Sequence, residues 1–229
     1  MGKSVLMTGA SRGVGRTAAE LFAREGWDLY LISHKDINDL ADLPGHHYAG
    51  DVGDFSFVKS VFEEIDSLDV LVNNAGIAYY GLMQDMKTED WDRVIRTNLT
   101  SVFNTCKLAV PKMLARHAGK IINISSRWGS DGASFETAYS ASKGGVDAFT
   151  RALAKELAPS NIQVNALALG VIDTDMIRHL SRAETEALIA EIPADRMGTT
   201  NDVAEVILSL AKGNDYLTGQ VIGLNGGWF

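Results

Sequence analysis

Short runs rich in valine, isoleucine and leucine alternate along the chain with longer amphipathic stretches. The apolar runs lack polar alternation, which is typical of strands covered by helices on both faces. The pattern predicts strands at residues 4–7, 28–32, 46–49, 70–73, 120–123, 163–166 and 220–224. It predicts helices at residues 14–25, 57–66, 89–116, 138–157, 174–191 and 201–212. This alternation indicates an α/β fold with a doubly wound, mostly parallel seven-stranded sheet and helices on both faces.

The chain is organised as one unit. Its 229 residues contain only 4 prolines, and the 22 glycines cluster at predicted turns instead of forming a flexible linker. We therefore expect a single domain over residues 1–229. The interval 34–50 is short for a helix and two turns, which predicts an abbreviated second crossover.

Charge and cysteine content exclude several classes of protein. The 21 Lys and Arg residues against 29 Asp and Glu give a net charge of −8, which disfavours nucleic acid and anionic membranes as partners. No stretch is long and apolar enough for a signal peptide or a membrane span. Cys106 is the only cysteine, so no internal disulfide or cysteine zinc cluster is possible. We expect a soluble, cytoplasmic protein without a bound metal.

A glycine-rich turn follows the first predicted strand and opens the first predicted helix. Gly9, Gly13 and Gly15 form a G-x-x-x-G-x-G pattern within residues 8–15. Positions without side chains let the backbone approach a pyrophosphate, and the N–H groups of the helix start face that anion. An ordinary strand–helix turn is the alternative.

Tyr139 and Lys143 are four residues apart, which places them on one face of a predicted helix. The pKa of a tyrosine hydroxyl is near 10, and a neighbouring ammonium lowers it towards the range useful for acid–base catalysis. The same pair also occurs commonly on protein surfaces.

Further polar residues end predicted strands at the edge where open α/β sheets bind ligands. Ser126 ends one strand, the segment 73–76 (Asn-Asn-Ala-Gly) ends another, and Asp51-Val52 closes a third. The Asp51 carboxylate is suited either to an adenine amine or to capping a turn. Asn98 lies in the predicted helix 89–116, where a buried hydrogen bond is the simpler explanation.

These motifs together resemble the short-chain dehydrogenase/reductase family, over nearly the whole chain and in the family's order. The resemblance implies a Rossmann-type fold. Within the family the sequence is most similar to 3-oxoacyl-[acyl-carrier-protein] reductases, on the segments 164–166, 193–196, 217–220 and 225–227.

The resemblance implies a catalytic tetrad. Tyr139 would protonate the substrate oxygen, and Ser126 would hydrogen-bond the carbonyl. Lys143 would lower the tyrosine pKa and hold the nicotinamide ribose, while Asn98 would hold a water that links Lys143 to solvent. The reaction would be reversible hydride transfer between a carbonyl and a secondary alcohol.

The resemblance also implies a set of cofactor contacts: Gly9, Ser11, Arg12, Gly13, Val14, Gly15, Ser33, His34, Asp51, Val52, Asn74, Ala75, Gly76, Tyr139, Lys143, Gly170, Ile172 and Thr174. One departure is visible, since Leu169 precedes Gly170 where the family usually has proline. This substitution frees the backbone near the nicotinamide.

The end of the second predicted strand bears on the choice of cofactor. Ser33 stands where NAD-preferring members carry an acid, and His34 and Lys35 follow it. A small residue followed by basic ones accommodates a 2′-phosphate, and Arg12 could contact it as well. Asp36 is interpreted as the cap of a short helix that starts near Ile37. We predict a preference for NADP(H), with NAD(H) as the alternative.

The substrate is a small carbonyl or alcohol compound, and the sequence leaves open whether a carrier protein bears it. Trp128, Phe135, Tyr79 and Tyr80 could line the substrate site or simply pack, and the segment 176–189 resembles the family's mobile lid. Family members that use acidic acyl-carrier protein present basic residues near the entrance. A modest cluster is available for that role at Lys112, Arg116, His117 and Lys120.

Two alternatives to the carrier-linked substrate stay open. The net charge of −8 favours a free ketone, sugar or steroid-like substrate. An NADP-binding redox sensor or scaffold is the non-enzymatic alternative.

The family usually forms homotetramers through the two long helices and the last strand, and apolar Trp228 and Phe229 suggest burial at such a contact.

Overall fold

A computed structural model describes residues 2–177 and 181–228. Its centre is one parallel sheet with the strand order β3-β2-β1-β4-β5-β6-β7. The strands are β1 (Ser4–Thr8), β2 (Asp28–Ser33), β3 (His46–Ala49), β4 (Val70–Asn73), β5 (Gly119–Ser126), β6 (Ile162–Leu169) and β7 (Val221–Leu224). The predicted doubly wound α/β fold is confirmed, and the sheet is entirely parallel.

The described helices cover both faces of the sheet. They are α1 (Gly13–Arg24), α2 (Phe55–Glu63), α3 (Thr88–Ile95), α4 (Ser101–Leu114), α5 (Trp128–Asp131), α6 (Thr137–Leu157), α7 (Arg182–Ala190) and α8 (Thr200–Lys212). One apolar core lies beneath α1 and α8, and a second lies beneath α2, α4 and α6. Each strand therefore buries side chains on both faces, which explains the continuous apolar runs.

The predicted helix 89–116 is wrong as a single α-helix. A π-helical segment, Arg96–Thr100, separates α3 from α4. This segment contains Asn98, whose amide bonds both backbone groups of Ile77. Periodicity does not reveal such a one-turn widening, which is often found at functional sites.

The predicted helix 174–191 is also wrong over its first part. A 3-10 turn occupies Asp175–Ile177, and α7 begins after Ser181, whose hydroxyl and Glu184 form a capping box. Residues 178–180 of the predicted helix and lid lie outside the described part of the chain. The amphipathic pattern continues towards the amino terminus, but the capping box fixes the start of α7 after Ser181.

β5 and β6 run three residues further towards their carboxyl ends than the sequence suggests. β6 includes Leu169, which pairs with Ser126 of β5 and with Leu224 of β7. The leucine allows a regular strand there, because it retains the backbone N–H that proline lacks.

Among the described residues, no helix has the length and apolarity needed to cross a bilayer. The same residues contain no group of three His, Cys, Asp or Glu side chains that could hold a metal ion.

Candidate active site

The carboxyl ends of all seven strands meet at one edge of the sheet, because the strands are parallel. The strand order reverses between β1 and β4, which is where this architecture forms a ligand crevice. The glycine turn after β1 lies at this switch point. Gly9 and Gly13 adopt φ values of +67° and +55°, and a Cβ on Gly15 would lie 2.2 Å from the Gly9 carbonyl oxygen. The turn is therefore built for backbone approach, as a pyrophosphate requires.

Thr8 and Asn74 connect the glycine turn to the end of β4. The Thr8 hydroxyl accepts from the backbone N–H groups of Asn74 and Ala75 at 3.0 Å each. The Asn74 side chain donates to the carbonyls of Thr8 and Gly9 at 3.1 and 3.0 Å. Asn74 thus shapes the turn through its side chain. The sequence analysis included Thr8 in the glycine-rich motif but did not predict that its hydroxyl binds the end of β4.

The first turn of α1 has no side-chain cap. Arg12 occupies the N-cap position with extended backbone and no capping hydrogen bond, and the first turn contains no acidic residue. Val14 and Gly15 are buried in this turn, Ser11 is half-buried, and Arg12 is exposed. The helix start therefore keeps its N–H groups and positive dipole end for an anion.

The loop after β6 borders the same turn. A Cβ on Gly13 would lie 3.5 Å from Cγ2 of Thr174, and Ile172 forms a parallel bridge with Gly198. A Cβ on Gly170 would lie 2.8 Å from Cα of Asn225. The residues assigned to the nicotinamide end thus lie close to the glycine turn and to the chain's last strand.

The segment after β3 is fixed by two polar contacts. Oδ1 of Asp51 accepts from the Gly53 N–H at 2.7 Å, and Oδ2 lies 3.0 Å from Nη2 of Arg96. Val52 is buried, and its carbonyl accepts from the Asn104 side chain at 3.1 Å. Asp51 therefore caps a turn, which was one of the two roles that the sequence indicated, and pairs with the π segment, a contact that the sequence did not show.

The last residue of β2, Ser33, has a small and uncharged side chain. The Ser33 hydroxyl is buried and donates to the Asp36 carbonyl at 2.7 Å, while His34 is exposed. The Asp36 carboxylate accepts from the Asn38 N–H at 2.8 Å and caps the 3-10 helix Ile37–Leu40. The predicted cap is confirmed. Arg12 lies 3.8 Å from Asp175 in an exposed ion pair.

Tyr139 and Ser126 face each other across α6 and β5. Both residues are buried. The Ser126 hydroxyl accepts from the Trp128 N–H at 3.2 Å. Burial raises the pKa of Tyr139 to about 12, and the polar Ser126 side chain opposes that shift. The phenol is therefore in its protonated, proton-donating form at neutral pH.

Lys143 lies one helical turn after Tyr139, with its Nζ 5.6 Å from the tyrosine ring centroid. Nζ donates to the Ile124 carbonyl at 2.7 Å. The expected lowering of the tyrosine pKa by Lys143 is not found here, because burial dominates and the ammonium is directed to a carbonyl. Burial also lowers the pKa of Lys143 to about 8, and the charge of Asp147 acts in the opposite direction.

Asn98 reaches this site from the π segment. Its side chain accepts from the Ile77 N–H at 2.8 Å and donates to the Ser142 hydroxyl at 3.0 Å. A Cβ on Gly76 would lie 3.5 Å from both Asn98 Oδ1 and Lys143 Nζ. Gly76 thus marks the gap between these two groups, and Ser142 is a supporting residue that sequence reasoning missed.

Aromatic side chains surround the entrance. The rings of Tyr80 and Phe135 stack at 5.2 Å, and the Gly81 N–H donates to the Phe135 carbonyl at 2.8 Å. Tyr80 is 61% exposed, so the pair presents apolar surface to solvent. Trp128 instead packs edge-to-face on Trp228 at 5.2 Å.

The basic cluster lies elsewhere. Lys120 is the second residue of β5, whereas Ser126 is the last residue of that strand. About 20 Å of extended chain therefore separates them. Lys120 bonds Asp215 at 2.8 Å, and Arg116 bonds Asp69 at 2.6 Å. Within one chain, the expectation that this cluster borders the entrance is therefore wrong, because it lies at the amino edge of the sheet.

Similarity to characterised proteins agrees with this geometry. The family described as short chain dehydrogenase matches residues 3–185. A 3-oxoacyl-[acyl-carrier-protein] reductase of Thermotoga maritima is 43% identical over 99% of this chain and 97% of its own length. The Escherichia coli protein of that name is 37% identical, with coverage of 100% and 98%.

Two solved structures are similar over nearly their whole length. A protein of Agrobacterium tumefaciens assigned provisionally as a gluconate dehydrogenase has a TM-score of 0.93 at 34% identity, with 99% of this chain and 96% of that chain covered. A 3-oxoacyl-[acyl-carrier protein] reductase of Brucella melitensis has a TM-score of 0.91 at 31% identity, with 98% and 90% covered.

The chain belongs to the short-chain dehydrogenase family. It is accordingly an NAD(P)-dependent oxidoreductase. The glycine turn fits this cofactor class, because a Cβ at Gly15 would collide with the Gly9 carbonyl oxygen, so only glycine there allows the tight turn before the start of α1.

Proposed function

We propose that the protein reduces a carbonyl to a secondary alcohol with NADPH, in a reversible reaction resembling that of 3-oxoacyl-[acyl-carrier-protein] reductases. The observation that carries the proposal is the buried cluster of Tyr139, Ser126 and Lys143, in which Lys143 lies one helical turn after Tyr139 with its Nζ 5.6 Å from the tyrosine ring. The bound nicotinamide supplies the hydride.

The protein supplies orientation and a proton. Tyr139 donates its hydroxyl proton to the substrate oxygen, and the Ser126 hydroxyl stabilises the charge that develops there. Lys143 binds the ribose hydroxyls of the cofactor. Asn98 holds the strand-four loop through Ile77 and supports the helix of Lys143 through Ser142, beside the path for proton resupply.

NADPH preference rests on charge at the end of β2. Ser33 brings no carboxylate to this position, and the Asp36 carboxylate is directed to the Asn38 N–H. Exposed Arg12 would exchange its 3.8 Å surface ion pair with Asp175, a weak interaction, for a 2′-phosphate beside the glycine turn. NAD(H) is the alternative cofactor.

Full-length similarity to 3-oxoacyl-[acyl-carrier-protein] reductases supports a carrier-linked substrate. A free ketone or sugar-derived substrate is the second candidate, because the net charge of −8 and the position of the basic cluster disfavour an acidic carrier at this chain's own entrance. Turnover of acetoacetyl-carrier protein against a panel of free ketones separates the two. A clear rate advantage for the carrier-linked compound is expected, and its absence removes the fatty-acid assignment.

Tyr139→Phe tests the chemistry itself. The variant lacks the donated proton but retains the ring, so we expect loss of turnover with NADPH binding intact by fluorescence titration. Tyr48→Phe, on the edge strand β3, is a matched control and should keep full activity. Unchanged turnover in Tyr139→Phe would contradict the mechanism. Binding by the wild-type protein without turnover of any substrate would favour a redox sensor.

We also propose a homotetramer, as is usual in the family. The outer surface of α4 supports it, because Phe103 and Leu114 are 48% and 37% exposed there. Light scattering at micromolar concentration should give about four times the chain mass. A cytoplasmic location remains a prediction.

A further inference from the structure

Residues 225–228, called here the C-terminal turn, form a closed hydrogen-bonded loop after β7. The Asn225 side chain donates to the Trp228 carbonyl at 2.8 Å and accepts from the Gly227 N–H at 3.1 Å. The Trp228 N–H donates to the Asn225 carbonyl at 3.2 Å. Gly226 and Gly227 adopt positive φ values of +65° and +82°, which only glycine accepts easily. The turn is therefore a defined structure, not a trailing end.

The C-terminal turn contacts two parts of the active-site rim. The Ala194 N–H, beyond the lid segment, donates to the Gly226 carbonyl at 3.0 Å. Asn225 packs so closely on Gly170 that a Cβ there would lie 2.8 Å from its Cα. The turn thus connects Ala194, which follows α7, to the loop after β6.

Trp228 extends from this turn onto the segment that follows Ser126. The Arg127 guanidinium lies 4.0 Å from the Trp228 ring centroid, and the Trp128 ring packs edge-to-face on Trp228 at 5.2 Å. Arg127 is held from another side by Asp131, at 2.7 Å from its Nε. Trp228 is only 8% exposed, so one chain is sufficient to bury it, without the subunit contact that the sequence suggested. Phe229 lies outside the described residues.

The contacted segment determines where the Ser126 hydroxyl points. The Trp128 N–H donates to that hydroxyl at 3.2 Å, and the Arg127 N–H donates to the Leu169 carbonyl at 2.9 Å. A shift of the backbone at residues 127–128 would therefore move the group that binds the substrate oxygen.

We propose that Trp228 is a positioning residue of the reaction: by packing on Arg127 and Trp128 it holds the Ser126 hydroxyl in place. This inference rests on the proposed carbonyl reduction. The contact combines a cation–π interaction with an aromatic pair, both of which depend on ring geometry. Phenylalanine should therefore replace Trp228 in part, whereas alanine should not.

The test compares Trp228→Ala with Trp27→Ala in the full-length protein. Trp27 is a matched control because it is also 8% exposed, packs edge-to-face on Phe22 at 4.9 Å and lies under Lys3 at 5.6 Å. It lies next to the amino end of β2, at the opposite edge from Ser126. Both variants lose similar packing, so their thermal stabilities should fall by similar amounts.

Activity should separate them. For Trp228→Ala we expect kcat per folded molecule to fall about tenfold or more, as small misplacements of catalytic groups do, with NADPH affinity nearly unchanged. Trp228→Phe should recover part of that loss, and Trp27→Ala should keep wild-type kcat. Equal kcat values for Trp228→Ala and Trp27→Ala would overturn the proposal.

A double-mutant cycle with Arg127→Met gives a second measurement. If Trp228 acts through Arg127, the two losses in kcat should be less than multiplicative in the double variant. Fully multiplicative losses would contradict the coupling. Wild-type turnover is measured in the same assay, so failure of the carbonyl-reductase function is recognised separately from failure of this inference.

Discussion

The Asn74 side chain donates to the Gly9 carbonyl at 3.0 Å, so the end of β4 fixes the glycine turn that follows β1. This contact spans the switch point of the sheet, where the two halves of the cofactor crevice meet. The same amide also holds the Thr8 carbonyl at 3.1 Å. The shape of the cofactor cradle therefore depends on two separate strand ends.

Gly15→Ala should weaken cofactor binding strongly. The added methyl would lie 2.2 Å from the Gly9 carbonyl oxygen and 2.5 Å from Nδ2 of Asn74, so the cradle must open. We expect NADPH affinity to fall by about 100-fold, as for a binding group displaced by an ångström. Gly26→Ala, at the other end of α1, adds strain at a positive φ without any contact and should leave affinity unchanged. Fluorescence titration of both variants with NADPH checks this.

Ser33→Asp should reverse the cofactor preference. A carboxylate at the end of β2 would repel a 2′-phosphate and accept from ribose hydroxyls, so kcat/KM with NADPH should fall about 100-fold or more, since like-charge contact costs several kcal/mol. Ser33→Ala controls for loss of the bond to the Asp36 carbonyl. Steady-state rates with NADPH and NADH give the ratio, and wild-type kcat/KM that is equal or higher with NADH would contradict the preference.

Activity should decline as pH rises through about 8, the pKa to which burial lowers Lys143. Lysine is charged below its pKa, so the charge that binds the ribose is present below this value and lost above it. Tyr139, with a pKa of about 12, stays protonated across the range. The pH profile of kcat/KM reports such groups in the free enzyme.

Two variants test whether Lys143 causes the decline in activity above pH 8, called here the alkaline limb of the pH profile. Asp147 raises the pKa of Lys143, so Asp147→Asn should move the limb to lower pH. Lys143→Arg keeps its charge at every pH of the assay, so its residual activity should show no decline near pH 8. A limb that stays in place in both variants would exclude Lys143 as its origin.

Asn98→Ala should reduce both stability and activity. It leaves both backbone groups of Ile77 without their side-chain partner, which costs roughly 3 kcal/mol, and it removes the amide donor to the Ser142 hydroxyl, which keeps its bond to the Tyr139 carbonyl. Asn123→Ala is the matched control, because this fully buried amide bonds only Asn73 and Thr150 among the described residues. Chemical unfolding should show similar losses, whereas kcat of the remaining folded enzyme should fall only for Asn98→Ala.

The sequence by itself determined the sheet, the glycine turn and the order of the motifs. Apolar runs and amphipathic periods are local properties, and they are set by which faces are buried. The cap formed by Asp36 was also predictable, because a carboxylate two residues before an N–H closes a local turn. Pattern did not reveal the π segment at Asn98, whose amide bonds a backbone partner distant in sequence, Ile77.

Tertiary structure alone decided the contacts between residues far apart in sequence. It joined Asn74 to Gly9 and Trp228 to Arg127, and it placed Lys120 at the amino edge of the sheet, away from Ser126. It also reversed the expected direction for Tyr139, because burial raises its pKa where spacing from Lys143 alone suggested a decrease. Burial and long-range contacts arise from the packed chain as a whole, and no local pattern encodes them.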